Sequence, residues 1–210
     1  MKAPFDNFDA REYPTGCTTQ FFSENPALYA SMGLDGHNGQ DLVAPHGSPL
    51  YAIESGTVVS VKYDADGFGR HLRILTDGKN ARLWVYGHCN AITVEVGDRV
   101  EEGDLVATMG NTGFVVSDGY ASTFWGMVPR GTRGTHLHLG VREVTRTARG
   151  WSYPESDIKI DVKNYDNGYK GSIDPMPFIK DLKSDPITKE ETKNTLLEGV
   201  VSLLKKILNK

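Results

Sequence analysis

Two histidines, His136 and His138, stand two residues apart in the apolar run "GTRGTHLHLGV" of a chain that has only six histidines. On a strand, residues i and i+2 face the same side, so both imidazoles would point one way while Leu137 points the other. Each buried imidazole has two ring nitrogens that need partners. A shared metal, or a metal and a reacting water, supplies them. The pair alone is weak evidence, because surface strands contain it by chance. A second piece is "GLDGHNGQDLVAP", in which His37 and Asp41 lie four apart in a Gly-rich segment. Nitrogen and carboxylate ligands suit zinc, and a glycine-flanked loop can turn both toward one ion. A third is "WVYGHCN", where His88 follows a strand ending at Tyr86-Gly87. Taken singly, these read as a turn with a polar tip and a strand-end histidine. In combination they are far more specific. A catalytic zinc site takes three protein ligands and leaves a position for water, whose pKa the metal lowers while it polarises a carbonyl. A neighbouring imidazole can take the proton, and another donor can hold the oxyanion. His37, Asp41 and one of the strand pair form such a ligand set. The other strand imidazole and His88 are left for acid–base and oxyanion duties. Spacing alone does not say which strand histidine is the ligand. His46 and His71 have no such company and read as structural or exposed.

The elements that must position these residues are short strands. "YAIESGTVVSVKYD" ends in the turn cluster "DADGFG". "RHLRILTDGKN" and "ARLWVYGHCN" read as two strands joined through "DGKN", a hairpin signal. The units Val96-Gly97-Asp98-Arg99-Val100 and Glu102-Gly103-Asp104-Leu105-Val106 place Gly-Asp between apolar alternations, which predicts short strands joined by tight turns. A strand follows over Leu137–Val144. Residues 1–50 read as loop-rich turn chemistry. The segment from Phe114 to Gly134, rich in Gly, Ser, Thr and aromatic residues, reads as a long loop of the kind that shapes binding sites. The fold class expected is mainly β: a small antiparallel sheet, barrel- or sandwich-like, with long loops and a C-terminal amphipathic helix. Residues 1–182 form the domain and 183–210 the helical tail. There Leu196, Leu197, Val200, Val201, Leu204, Ile207 and Leu208 recur at helical spacing behind a capping box at Thr188–Glu191. Its apolar stripe suits packing on the domain or self-association ahead of membrane-surface contact.

Composition narrows the functions. A formal charge of −4 argues against a nucleic-acid binder, whose footprint should be positive. No stretch reaches the roughly 18 apolar residues of a transmembrane segment. The opening "MKAPFDNFDAREYP" lacks the apolar core of a signal peptide, which reads as synthesis in the cytoplasm without one. Cys17 and Cys89, in no C-x-x-C arrangement, read as free thiols.

Gly36-His37-Asn38-Gly39-Gln40-Asp41, Tyr86-Gly87-His88 and His136-Leu137-His138, with "SGTVVSV" and "VGDRVEEGDLVATMGNTG" between them and in this order, resemble the lysostaphin-type zinc endopeptidases (LytM domain), which cut peptide bonds in bacterial cell-wall peptidoglycan. The resemblance covers Thr18 to Phe178. It implies a largely antiparallel β structure with zinc in a long groove. It further implies that His37, Asp41 and His138 bind Zn2+ and that His136 and His88 are the catalytic histidines, with peptidoglycan peptides as partners. Two departures bear on substrate preference. Family members pass from "GNTG" to the His-x-His strand in a few residues, whereas here residues 114–134 intervene. The tyrosine that assists the oxyanion in the family has Tyr29 as its nearest counterpart. The "SENPALYASMGL" lead-in and the "GSIDPMPFI" ending resemble phage-encoded members, which implies a lysis enzyme that acts on the wall after release, or a virion-associated one. The competing reading, a non-catalytic scaffold that holds peptidoglycan or a protein on the same fold, is disfavoured because degenerate relatives lack ligands and here all are present. A biotinyl- or lipoyl-type carrier would need a lysine at a hairpin tip, and "VATMGNTG" has none.

Overall fold

A computed structural model describes residues 1–78, 80–115, 132–152 and 158–184. The long strands form where β-branched and large apolar residues run together: β4 (Gly56–Asp64), β5 (Gly69–Thr76), β6 (Ala81–Gly87) and β10 (Leu137–Ser152). With β1 (Thr18–Gln20), β2 (Gln40–Leu42) and β8 (Arg99–Val100), they order as β1-β2-β10-β6-β5-β4-β8, each neighbour antiparallel. A second antiparallel sheet orders β3 (Pro49–Tyr51), β9 (Leu105–Thr108) and β7 (Ala91–Ile92). The mainly β, antiparallel architecture expected from the sequence is the one observed.

The core lies between the sheets. Leu137, Leu139 and Val141 of β10 join Trp84, Tyr86, Leu50, Val106 and Ala107 in one buried cluster. Two polar ties cross it. The Tyr86 hydroxyl donates to the Tyr51 carbonyl at 3.1 Å and accepts from the Ile53 N–H at 2.9 Å. Glu54 accepts from the Trp84 indole at 2.8 Å and from Arg82 Nε at 2.7 Å. The two Gly-Asp units are a pair of equivalent turns. Gly97 and Gly103 take φ of +94° and +90°, and the Asp98 and Asp104 carboxylates accept from the N–H groups of Glu95 and Glu101 at 2.9 and 2.8 Å. A left-handed third position favours glycine there.

Four sequence readings are extended or left aside. Residues 1–50 carry β1, β2 and the start of β3, strands of only three residues each, too short to show a period. The strand read as ending at Val144 continues to Ser152, because β11 (Lys159–Val162) pairs with its polar extension; β12 (Ser172–Ile173) also pairs with β10. The tail helix, apart from Lys183 and Ser184, and residues 116–131 of the long loop lie outside the described residues. Among the described residues the helices are α1 (Pro26–Tyr29), a 3-10 turn that follows it (Ala30–Met32) and α2 (Met176–Ile179). Among the described residues no helix is long and apolar enough to cross a membrane. Cys17 and Cys89 are free and buried.

Candidate metal centre

Strand β10 runs between β2 and β6, and its alternation sorts core from site. Leu137, Leu139 and Val141 go inward, while His136, His138, Gly140 and Arg142 share the other face. The register sets Asp41 directly opposite His138, where paired side chains on one face of an antiparallel sheet are neighbours. His37 sits in the turn before β2. Its N–H donates to the Glu24 carbonyl and its own carbonyl accepts from Ser23 N–H, both at 2.8 Å. His88 follows β6 through Gly87 and turns out of the strand at φ +60°, a left-handed conformation uncommon for a side-chain-bearing residue. Its N–H is held by the Phe68 carbonyl at 2.7 Å.

These backbones bring together all five residues that the sequence singles out. His37 Nε2, Asp41 Oδ1 and His138 Nδ1 form a nearly regular triangle with edges of 3.0, 3.1 and 3.2 Å. His136 Nε2 approaches Asp41 Oδ2 at 3.6 Å, and the rings of His88 and His136 lie 4.5 Å apart. His46 is exposed and His71 is a buried residue of β5, 3% exposed, bonded to the Gly69 carbonyl; neither joins the cluster.

Second ring nitrogens fix which atoms face the site. His37 Nδ1–H donates to the Phe21 carbonyl at 3.1 Å, His88 Nδ1–H to the Thr112 carbonyl at 2.8 Å and His136 Nδ1–H to the Gly134 carbonyl at 2.8 Å. A carbonyl only accepts, so in the neutral form each ring turns a bare Nε2 toward the cluster. His138 is the reverse case: Nδ1 faces inward and its buried Nε2 has no hydrogen-bond partner. Gly39 packs against that nitrogen, where a Cβ would come within 2.5 Å. The charges are tuned accordingly. Burial works to raise the pKa of Asp41, but the neighbouring His37 and His136 charges and the His138 and His37 bonds outweigh it and hold the carboxyl well below the usual range. Burial disfavours charge on His37 too, yet Asp41 outweighs it and the pKa is raised. Burial pushes His138 down to about 4, with the charge of His37 adding to it. Burial and the charges of His136 and His138 hold His88 well below its ordinary value.

The cluster fits a divalent metal. Three donors about 2.0–2.2 Å from a tetrahedral ion lie about 3.3–3.5 Å from one another, close to the triangle observed. With both rings neutral these three atoms share at most one proton, on His138 Nδ1, among three short contacts. A cation would supply the partner they lack, and two imidazoles with one carboxylate match borderline metals. Around the triangle opens a cavity of about 460 Å³. Phe68, tilted 4.8 Å from the His138 ring, walls one side. Tyr29 lines the cavity, stacks on the His37 ring at 5.3 Å and donates its hydroxyl to Gln20 Oε1 at 3.2 Å.

Residues that sequence reasoning gave no role are those acting through the backbone. Phe21, Thr112 and Gly134 offer carbonyls, and Gly39 offers room. Thr112, Gly134 and Gly39 fall inside stretches quoted above for their side chains or their order, and Phe21 falls in none of them.

Known proteins bear on this geometry. The chain is 33% identical over 82 residues to the peptidoglycan DD-endopeptidase ShyC of Vibrio cholerae, covering 39% of this chain and 18% of that protein. It is 24% identical over 200 residues to endolysin 2638A of Staphylococcus phage 2638A, covering 90% of this chain and 37% of the endolysin. It thus spans well under half the length of either relative. The structure of the antimicrobial peptidase lysostaphin from Staphylococcus simulans shares the fold, with a TM-score of 0.50 at 20% identity over 86% of this chain and 54% of that one. Peptidase family M23 matches residues 35–149, a stretch that takes in all five cluster residues and more than half of the sequence, and the chain therefore belongs to this family of metallopeptidases.

Proposed function

We propose that this chain is a zinc endopeptidase that hydrolyses peptide bonds in the stem or cross-bridge of bacterial peptidoglycan, with His37, Asp41 and His138 as metal ligands and His136 and His88 as catalytic residues. The observation that carries this reading is the three-donor triangle with two bare imidazole nitrogens beside it. Zinc held there would polarise a scissile carbonyl and lower the pKa of a water toward neutrality. His136 Nε2, next to Asp41 Oδ2, is placed to take the proton of the attacking water, and its Nδ1 bond to Gly134 keeps that lone pair aimed inward. His88 in its neutral form also presents an acceptor, so it becomes a donor to the oxyanion or the leaving amine only after it gains a proton. The nearby His136 ring is the source that geometry offers. Phe68 over His138 keeps bulk water from that side of the cluster.

The peptidoglycan DD-endopeptidase relative supports the substrate. The phage endolysin, alignable along most of the chain, supports a lytic role at the wall after release. The test is incubation of the metal-loaded protein with purified peptidoglycan and mass spectrometry of the fragments, with and without chelator. New peptide ends that vanish with chelator are expected. His37→Ala and His138→Ala should lose both metal and activity. His136→Ala should keep the metal and lose about 10²-fold or more in turnover. Retained hydrolysis in the His37/His138 double variant would sink the proposal.

A further inference from the structure

The cavity around the cluster carries opposite charge at its two ends. Asp64 at the end of β4 and Asp66 on the turn to β5 line it, and Arg142 and Lys170 line it on β10 and the approach to β12. Asp41, at the cluster, is the one further charged carboxylate among the described lining residues. Register gives the separation. The Phe68 carbonyl holds the N–H of His88, and antiparallel pairing of β6 with β10 sets His138 opposite Gly87, so the turn lies level with Leu137. Arg142 stands five residues further along β10, which at about 3.3 Å per residue is about 16 Å, the length of about five extended residues. Ser172, two residues beyond Lys170, pairs with Arg142, and Lys170 Nζ bonds the Met32 carbonyl at 2.9 Å. The two cations therefore belong to one end and the two acids to the other, with the metal triangle between them. Apolar side chains, among them Leu28, Met32, Phe68 and Phe114, make up much of the remaining wall.

Resting on the peptidase reading above, we infer that the preferred substrate is a side-chain-bearing peptide with an ammonium group on the Asp64/Asp66 side of the scissile bond and a carboxylate on the Arg142/Lys170 side, rather than an uncharged glycine bridge. A polyglycine segment has neither side chains for the apolar walls nor charges for the ends. A stem peptide crosslinked directly through a diamino acid has both. Asp66 and Lys170 are exposed, so each contact resembles a surface ion pair. Such a pair is worth about threefold in binding, two of them about tenfold, and both weaken with salt.

The experiment compares kcat/KM of the zinc-loaded chain on three synthetic peptides. One is a directly crosslinked peptide with free ammonium and carboxylate on opposite sides of the scissile amide. The second is the same peptide with the amine acetylated and the carboxylates amidated, and the third is pentaglycine. The charged peptide should be cut fastest, by about tenfold over its neutralised form at low salt, with the advantage shrinking in 0.5 M salt, about twice the Debye screening of physiological buffer. Asp66→Asn and Lys170→Gln should each raise KM for the charged peptide about threefold, and by more than any change they cause in KM for the neutral peptides. Pentaglycine cut as fast as the charged peptide, or both variants behaving as wild type, would overturn the inference while leaving the peptidase reading standing. Hydrolysis of none of the three would overturn the peptidase reading and this inference with it.

Discussion

Backbone carbonyls, not a further layer of side chains, aim the imidazoles of the cluster. Phe21, Thr112 and Gly134 each take one Nδ1–H, which sets the tautomer and frees the opposite nitrogen for chemistry. This divides what can be read in a sequence from what cannot. His37, Asp41, His88, His136 and His138 were legible because their chemistry lies in the side chain and their spacing repeats a known logic. The carbonyls that orient them were not, since any residue type supplies one. Gly39 stands inside a legible motif, but its contact with His138 does not show in the sequence. A Cβ there would lie 2.5 Å from His138 Nε2 and 2.8 Å from the Leu139 carbonyl. The strand backbone cannot yield, so the ring must. Gly39→Ala is therefore expected to fold with the same far-ultraviolet circular dichroism but to bind zinc about 10–100-fold more weakly, the usual cost of disturbing what positions a ligand. Competition titration against a chromophoric chelator reads this directly, and unchanged affinity would show that His138 is not held by that contact.

At the scale of elements, two turns lock together to hold His88. Thr112 Oγ1 accepts from Arg70 N–H and donates to the Cys89 carbonyl, both at 2.9 Å, while the Thr112 carbonyl takes the His88 ring proton. The "GNTG" segment thus spans the β4–β5 turn on one side and the residue after His88 on the other. The contact is close enough that a Cβ on Gly69 would fall 2.2 Å from the Thr112 carbonyl. A single hydroxyl therefore sets where that carbonyl stands. Thr112→Val removes both hydroxyl bonds at nearly constant volume and should lower kcat about 10-fold with zinc content unchanged. Thr112→Ser, which restores the hydroxyl, should recover most of it. Loss of metal together with rate would instead mean that the turn supports the fold at large. The same scale explains where strand prediction stopped short. The apolar alternation of β10 ends at Val144, but the strand goes on because β11 supplies hydrogen-bond partners to a polar, exposed stretch. Pairing of that kind leaves no hydrophobic period to find.

For the whole molecule, the large strands and their inward faces follow from alternation, whereas the second sheet rests on strands of two to four residues whose identity only the packed core decides. The other face of β5, opposite Leu72 and Ile74 of that core, carries a buried histidine outside the metal cluster. His71 is buried between β4 and β6, donates Nδ1–H to the Gly69 carbonyl at 2.9 Å and meets Arg73 Nη1 at 3.2 Å through Nε2. Protonating Nε2 would set two donors against each other. Burial first, and the Arg73 charge second, lower its pKa below the model-compound 6.5, with Asp64 opposing and Lys62 assisting. The sign follows from linkage. Below pH 6.5 the unfolded chain binds this proton and the folded one does not, so stability rises with pH through that window and is lost as pH falls toward the depressed folded value. His71→Gln should cost stability at pH 8, where the neutral imidazole fits its partners, by about 1–2 kcal/mol for disturbed buried hydrogen bonds. The gap to wild type should narrow steadily between pH 6.5 and 5, because only wild type has a proton to take up at this position. Urea unfolding of the zinc-loaded proteins at fixed pH steps measures it, and the zinc keeps the cluster histidines from contributing to the difference. A gap that stays constant across the window would mean that His71 is charged, or freely charging, inside the folded protein.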